Sequence, residues 1–191
     1  MTRATLVLLL VAGLLAGLTS IGSALATSSV DLGSSPSTAG SVILTTIPIS
    51  TLVSFDNMAP GDQVTAPIIV TNGGTLQFRY AVTSVATNTD SKGLRNQLVL
   101  TVKSGVTTCT DGGFGVSGTQ QYTGMLGSDS GAKVIGDPAT GEQSGDRTLA
   151  AGANEVLCFH VALPIDTADT FQSAATTATF TFAAEQTASN P

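Results

Sequence analysis

The chain is short of the residues that do chemistry. Its 191 residues include one histidine, two cysteines, 7 Lys plus Arg and 13 Asp plus Glu. A zinc hydrolase needs about three protein ligands and a base, and no His-Glu-x-x-His pattern is present. The histidine, His160, alternates out of phase with Phe159 and Val161 and reads as a half-exposed strand residue. No Gly-x-Ser-x-Gly turn offers a serine nucleophile. Lysines and arginines form no cluster, which argues against nucleic acid or an anionic membrane surface as a partner. Asp111, Asp129, Asp137 and Asp146 fall in loops without the spacing of a calcium loop and read as solvated acids. There is no glycosylation sequon and no Cys-x-x-Cys. The residues therefore nominate no catalytic group, no metal ligand and no cofactor.

The N-terminus reads as an export signal spanning residues 1–26. Arg3 is a short positive region, Leu6 to Leu18 an apolar one, and Ala24-Leu25-Ala26 a small-x-small cleavage site, placing the cut between Ala26 and Thr27. Thr19, Ser20 and Ser23 interrupt the apolar run, and a spanning helix needs about 20 mainly apolar residues. No later segment is apolar enough to span, so the cleaved chain is expected to leave the membrane. Cleavage removes one charge, leaving 6 basic against 13 acidic residues, a net −7. In an oxidising compartment, Cys109 and Cys158 are most simply a disulfide, the alternative being a metal or redox pair. Closing that loop is worth roughly 4 kcal/mol on the chain-entropy argument.

The mature part shows period-two alternation and no convincing helical period. Residues 27–40 are rich in Ser, Thr and Gly, with Val30 and Leu32 the sizeable apolar residues, and read as a flexible arm. The domain then runs over 41–191. A first strand is expected within Val42–Ile49, at an edge because of Pro48. Ala59-Pro60-Gly61-Asp62 predicts a type II turn. Val64 to Val70 and Leu76 to Val82, separated by Asn72-Gly73-Gly74, predict a β-hairpin. Leu98, Leu100 and Val102 predict a further strand. The glycine-rich stretch 104–154 is too long for a structureless loop, so strands are expected at Thr119–Met125 and Ala132–Ile135. Leu157 to Leu163 gives the strongest alternation. Thr176 to Ala184 closes the chain, with a helical turn expected before it in Thr167–Ala175. Seven to nine strands of this kind imply an all-β, single-domain jelly roll or β-sandwich.

Five segments carry a resemblance. They are Thr38-Ala39-Gly40-Ser41-Val42; Asn57 to Asp62 leading into Val70-Thr71-Asn72-Gly73-Gly74-Thr75-Leu76; Phe78-Arg79-Tyr80; Leu157-Cys158-Phe159-His160-Val161-Ala162-Leu163-Pro164; and Thr177 to Gln186. In these the chain resembles the TasA/camelysin family of exported bacterial proteins. It departs from the family just after the signal, where Ala26-Thr27-Ser28-Ser29 replaces the usual aromatic-Phe-Ser-Asp run. The resemblance implies a jelly-roll protein of the cell surface or biofilm matrix. In such proteins an N-terminal segment of one subunit completes the sheet of the next.

The expected function is thus a secreted structural subunit that assembles with itself, or with other matrix proteins, through the arm carrying Val30 and Leu32. A monomeric immunoglobulin-like binding module is the alternative. Camelysin-type metalloprotease activity, also implied by part of the family, has no recognisable zinc ligands here.

Overall fold

A computed structural model of the chain describes residues 40–47, 53–56 and 58–188, with residues 53, 54 and 56 described at the backbone alone. The signal segment 1–26 with its Ala26–Thr27 cleavage point, and the arm residues Val30 and Leu32, lie outside the described residues.

Ten strands are present among the described residues: β1 Leu44–Ile47, β2 Val53–Asp56, β3 Gln63–Asn72, β4 Phe78–Ala86, β5 Val99–Ser104, β6 Thr119–Met125, β7 Ala132–Ile135, β8 Arg147–Leu149, β9 Asn154–Ala162 and β10 Ala175–Gln186. One helical turn, α1 at Asp111–Phe114, and two 3-10 turns at Leu94–Asn96 and Asp169–Phe171 complete the described elements. No helix among the described residues is long and apolar enough to cross a membrane. One sheet has the order β1-β3-β9-β5-β6; the second has β2-β10-β4-β7, with β8 also paired to β4. All these pairings are antiparallel. The protein is an all-β sandwich.

The expected alternation builds its core. Ile68 and Val70 of β3, Leu100 and Val102 of β5, and Leu157, Phe159 and Val161 of β9 are buried from one sheet. Phe78, Tyr80 and Val82 of β4 and Ala178 of β10 meet them from the other. Phe159 and Phe180 join the sheets edge to face, with ring centroids 4.8 Å apart. The strands expected in the glycine-rich stretch are found as β6 and β7. β2 and β8 raise the number above the expected seven to nine, because strands of 4 and 3 residues are too short to show a period. The Ala59–Asp62 turn closes with Asp62 N donating to Ala59 O at 2.9 Å. Gly61 sits there at φ 95°, a backbone state that L side chains rarely adopt.

The expected β3–β4 hairpin is not formed. β3 pairs with β1 and β9 in one sheet, whereas β4 pairs with β10, β7 and β8 in the other. The segment between them is an arch across the sandwich, and the cause is Asn72. Its side chain is fully buried and donates to Leu76 O at 2.8 Å and to Leu149 O at 3.0 Å. Its Oδ1 accepts from Gly74 N at 3.0 Å. Its own N–H donates to Ala153 O and its carbonyl accepts from Gly152 N, both at 2.9 Å. The Asn-Gly-Gly sequence is thus spent on turning the chain out of one sheet and holding it to the turn before β9.

Asn72→Ala should destabilise the fold by about 2 kcal/mol or more, since each buried group left unpaired costs about 1–3 kcal/mol. Denaturant unfolding measures this. A loss below about 0.5 kcal/mol, the level of an ordinary surface change, would show that Asn72 does not hold the arch.

Candidate functional site

His160 lies on the outward face of β9, as its phase requires. Its cross-strand neighbours are Thr65 of β3 and Thr101 of β5. It is partly buried. Residues 105–118, between β5 and β6, fold back over this face as a strap. Phe114 of α1 stacks on the imidazole, centroids 4.6 Å apart and rings 16° from parallel. Lys103 Nζ stands 4.6 Å from the Phe114 centroid and donates to Phe114 O at 2.9 Å. Thr65 Oγ1 is hydrogen-bonded to His160 Nδ1 at 2.8 Å. Burial under the strap is the main cause that holds the imidazole pKa below its ordinary value; Asp111 opposes it and Lys103 reinforces it.

The strap is fixed covalently. Cys109 and Cys158 form a disulfide with Cα atoms 5.6 Å apart. Cys158 is in the outward phase of β9, yet it is fully buried. Thr110 Oγ1 caps α1 by accepting from Gly113 N at 3.2 Å, and Thr107 N donates to Ser117 Oγ at 3.0 Å. A side chain at Gly113 would run into the Thr108 carbonyl, so the close turn needs glycine there.

A second polar constellation joins the two sheets. Glu155 of β9 shares the inward phase of Leu157 and Phe159, placing a carboxylate at the end of the core. Tyr80 OH donates to its Oε1 at 2.5 Å. Arg147 of β8 donates to it through Nε at 3.0 Å and Nη2 at 2.6 Å, and through Nη1 to Gln121 Oε1 at 3.1 Å. Burial first, and the adjacent carboxylate second, push the Tyr80 phenol above its usual range, so its hydroxyl remains a donor. Sequence reading missed this clamp, although the phase of Glu155 was a signal: an inward carboxylate needs a partner. Every polar group here is spent on another, which suits a structural tie between sheets.

The sequence reads the loop acids as solvated; in the fold three of the four have partners. Asp129 takes Arg95 Nη2 at 2.7 Å, and Asp137 pairs with Lys133. Asp146 accepts from Asp137 N at 2.9 Å and Gln143 N at 3.0 Å, shaping the loop that precedes β8. Gly141 N in that loop donates to Glu185 Oε1 at 2.9 Å, and Glu185 also faces Arg79 Nε at 3.2 Å on the outside of the second sheet. Asp111 is exposed at the start of α1. No group of three or more His, Cys, Asp or Glu among the described residues is placed to hold a metal ion.

The remaining surface of interest is backbone. The first sheet ends in β1 on one side and β6 on the other, and each has one described neighbour. β6 is seven residues long and carries no charge. Beside it Met125 pairs with Val99, both exposed on the outer face. The described residues begin at Gly40, just before β1. Compared with models of known protein families and with curated proteins, the sequence finds no match.

Replacing both cysteines by alanine should cost about 4 kcal/mol in unfolding free energy, on the chain-entropy argument for this loop. Denaturant titration checks it, and a loss under about 1 kcal/mol would show that the unfolded chain gains little from opening the loop.

Acid should weaken the seat of His160. A pKa depressed in the fold means that the neutral imidazole is favoured there. The resulting stability is complete above the unfolded value of about 6.5 and is lost as pH falls through the folded value. His160→Phe keeps an aromatic ring under Phe114 and removes the titration. Its melting temperature should fall less than the parent's between about pH 7 and pH 5, the range where histidine titrates. Equal slopes would contradict the assignment.

Proposed function

We propose that this chain is an exported structural subunit, without catalytic activity, that builds extracellular filaments by adding a strand from one subunit to the sheet of the next. The observation that carries this reading is the pair of edges at opposite sides of one sheet, each with one neighbour among the described residues. An unpaired edge presents N–H and C=O groups that a strand from another chain can satisfy. The described residues begin at Gly40, just before β1, whereas the longer edge, β6, lies across the sheet. A donor at one edge and an acceptor at the other make a heterologous, non-closing contact, which generates a filament rather than a ring-closed dimer. Val30 and Leu32, two residues apart, would place both side chains on one side of the added strand, next to the exposed Val99–Met125 pair.

The motif resemblance to TasA/camelysin proteins points the same way, and the absence of any family match leaves that resemblance resting on the quoted residues. The stacking of Phe114 on the partly buried His160 supports a structural rather than a catalytic role for the one histidine.

Deleting residues 27–40 should leave a folded protein that no longer forms filaments under negative-stain microscopy. If the truncated protein assembles like the intact one, the arm is not the donor. If the intact protein remains monomeric at high concentration, the binding-module reading replaces this one.

A further inference from the structure

The β1 edge carries a pattern of its own. Gly73 N donates to Ile43 O at 2.9 Å, which makes residues 43 and 73 a hydrogen-bonded pair in the register Leu44↔Asn72, Thr45↔Thr71, Thr46↔Val70 and Ile47↔Ile69. In an antiparallel ladder such pairs alternate. Odd-numbered residues of β1 therefore direct their backbone groups to β3, and Leu44 and Thr46 direct theirs to the side with no neighbour among the described residues. Odd-numbered side chains stand on the outer face. Ile43 and Ile47 are 47% and 63% exposed there, with the exposed Thr45 between them.

We infer that β1 is a two-fold contact between copies of this chain, formed by antiparallel pairing of one β1 edge with another about a dyad at Thr45. In that register Leu44 and Thr46 of one copy exchange backbone hydrogen bonds with Thr46 and Leu44 of the other. Thr45 faces Thr45, and Ile43 faces Ile47 twice. These last pairs fall in the non-hydrogen-bonded positions, where opposing side chains lie closest. A dyad at Leu44 would put Ile47 opposite Ser41, and one at Thr46 would put it opposite Thr45. The Thr45 register alone matches the two exposed isoleucines with each other. It also extends an outer-face row already present within each copy. Val156 of β9 pairs with Ile69, and Ile69 with Ile47; Ile43 of the second copy would follow.

The occupant is a second copy because the edge is complementary to itself and lacks what keeps edges apart. Proteins blunt exposed edges with lysine, other charges, bulges or proline within the strand. Gly40 to Ile47 contains none of these, and Pro48 follows the last residue of the strand. The contact is isologous, so it is separate from the head-to-tail addition proposed above and does not rest on it.

Cysteine cross-linking tests the register directly. Cys109 and Cys158 are bonded to each other and no described cysteine is free, so Thr45→Cys introduces a single thiol at the dyad. Under mild oxidation the purified protein carrying Thr45→Cys should form covalent dimers roughly tenfold faster than one carrying Thr179→Cys, the advantage that about 1.4 kcal/mol of pairing would give. Thr179 is also exposed but lies on β10, inside the second sheet. Adding Ile47→Lys to Thr45→Cys should return the rate to that background, with the melting temperature unchanged. Deleting residues 27–40 should leave the Thr45→Cys dimer in place even where it abolishes filaments. Cross-linking no faster than at position 179, indifference to Ile47→Lys, or loss of the dimer on deleting the arm would each overturn the inference. The last would assign the β1 edge to the arm.

Discussion

The architecture turns on Asn72. A buried amide is costly unless its groups are paired, and Asn72 has its side-chain donors and acceptor engaged within one turn of space. Those bonds reach both the segment leading into β4 and the end of β8, two places far apart in sequence. The same residue is held through its backbone to Gly152 and Ala153. The crossing from one sheet to the other and the turn into β9 are therefore fixed by one side chain. Without that node, β3 and β4 could lie side by side as a hairpin, and the two-layer arrangement that buries Phe78, Tyr80 and Val82 against β9 would have no start.

Around that frame the chain uses its few charges sparingly and in pairs. Glu155 sits where the alternation of β9 would place an apolar residue, and it is matched by Tyr80 and Arg147 from the opposite sheet. Each outer face is also partly covered by a long loop. The strap carrying α1 is bonded to Cys158 and stacked on His160, while the loop before β8 reaches Glu185 through Gly141. Both loops read as irregular from composition, because glycine and hydroxyl residues carry no periodicity. In the fold they are held by specific polar contacts rather than by a hydrophobic face.

What this leaves exposed bears on function. Among the described residues His160, Tyr80, Glu155 and Arg147 each have a side-chain partner, whereas the two edges of the first sheet retain backbone groups without a described partner. Edge strands free of charge are a liability in a protein meant to stay alone. In a protein meant to assemble they are its binding surface. The proposed reading follows from that contrast, and it separates a heterologous edge, β6, from a self-complementary one, β1.

The sequence by itself determined the all-β class, the phases of the long strands, the turn at Pro60-Gly61 and the pairing of its two cysteines. Each follows from local rules: period-two burial, fixed backbone preferences, and the simple arithmetic of two thiols. It also placed β6 and β7 within a stretch that looks irregular. It could not decide which strands are neighbours, because Asn-Gly-Gly serves a hairpin and an arch equally well; the choice was made by Leu149 and Ala153, contacts more than seventy residues away along the chain. Nor could it show that His160 is roofed by Phe114, or that Glu155 is clamped between sheets. Those partners are assembled from different strands, and only the closing of the sandwich brings them within bonding distance.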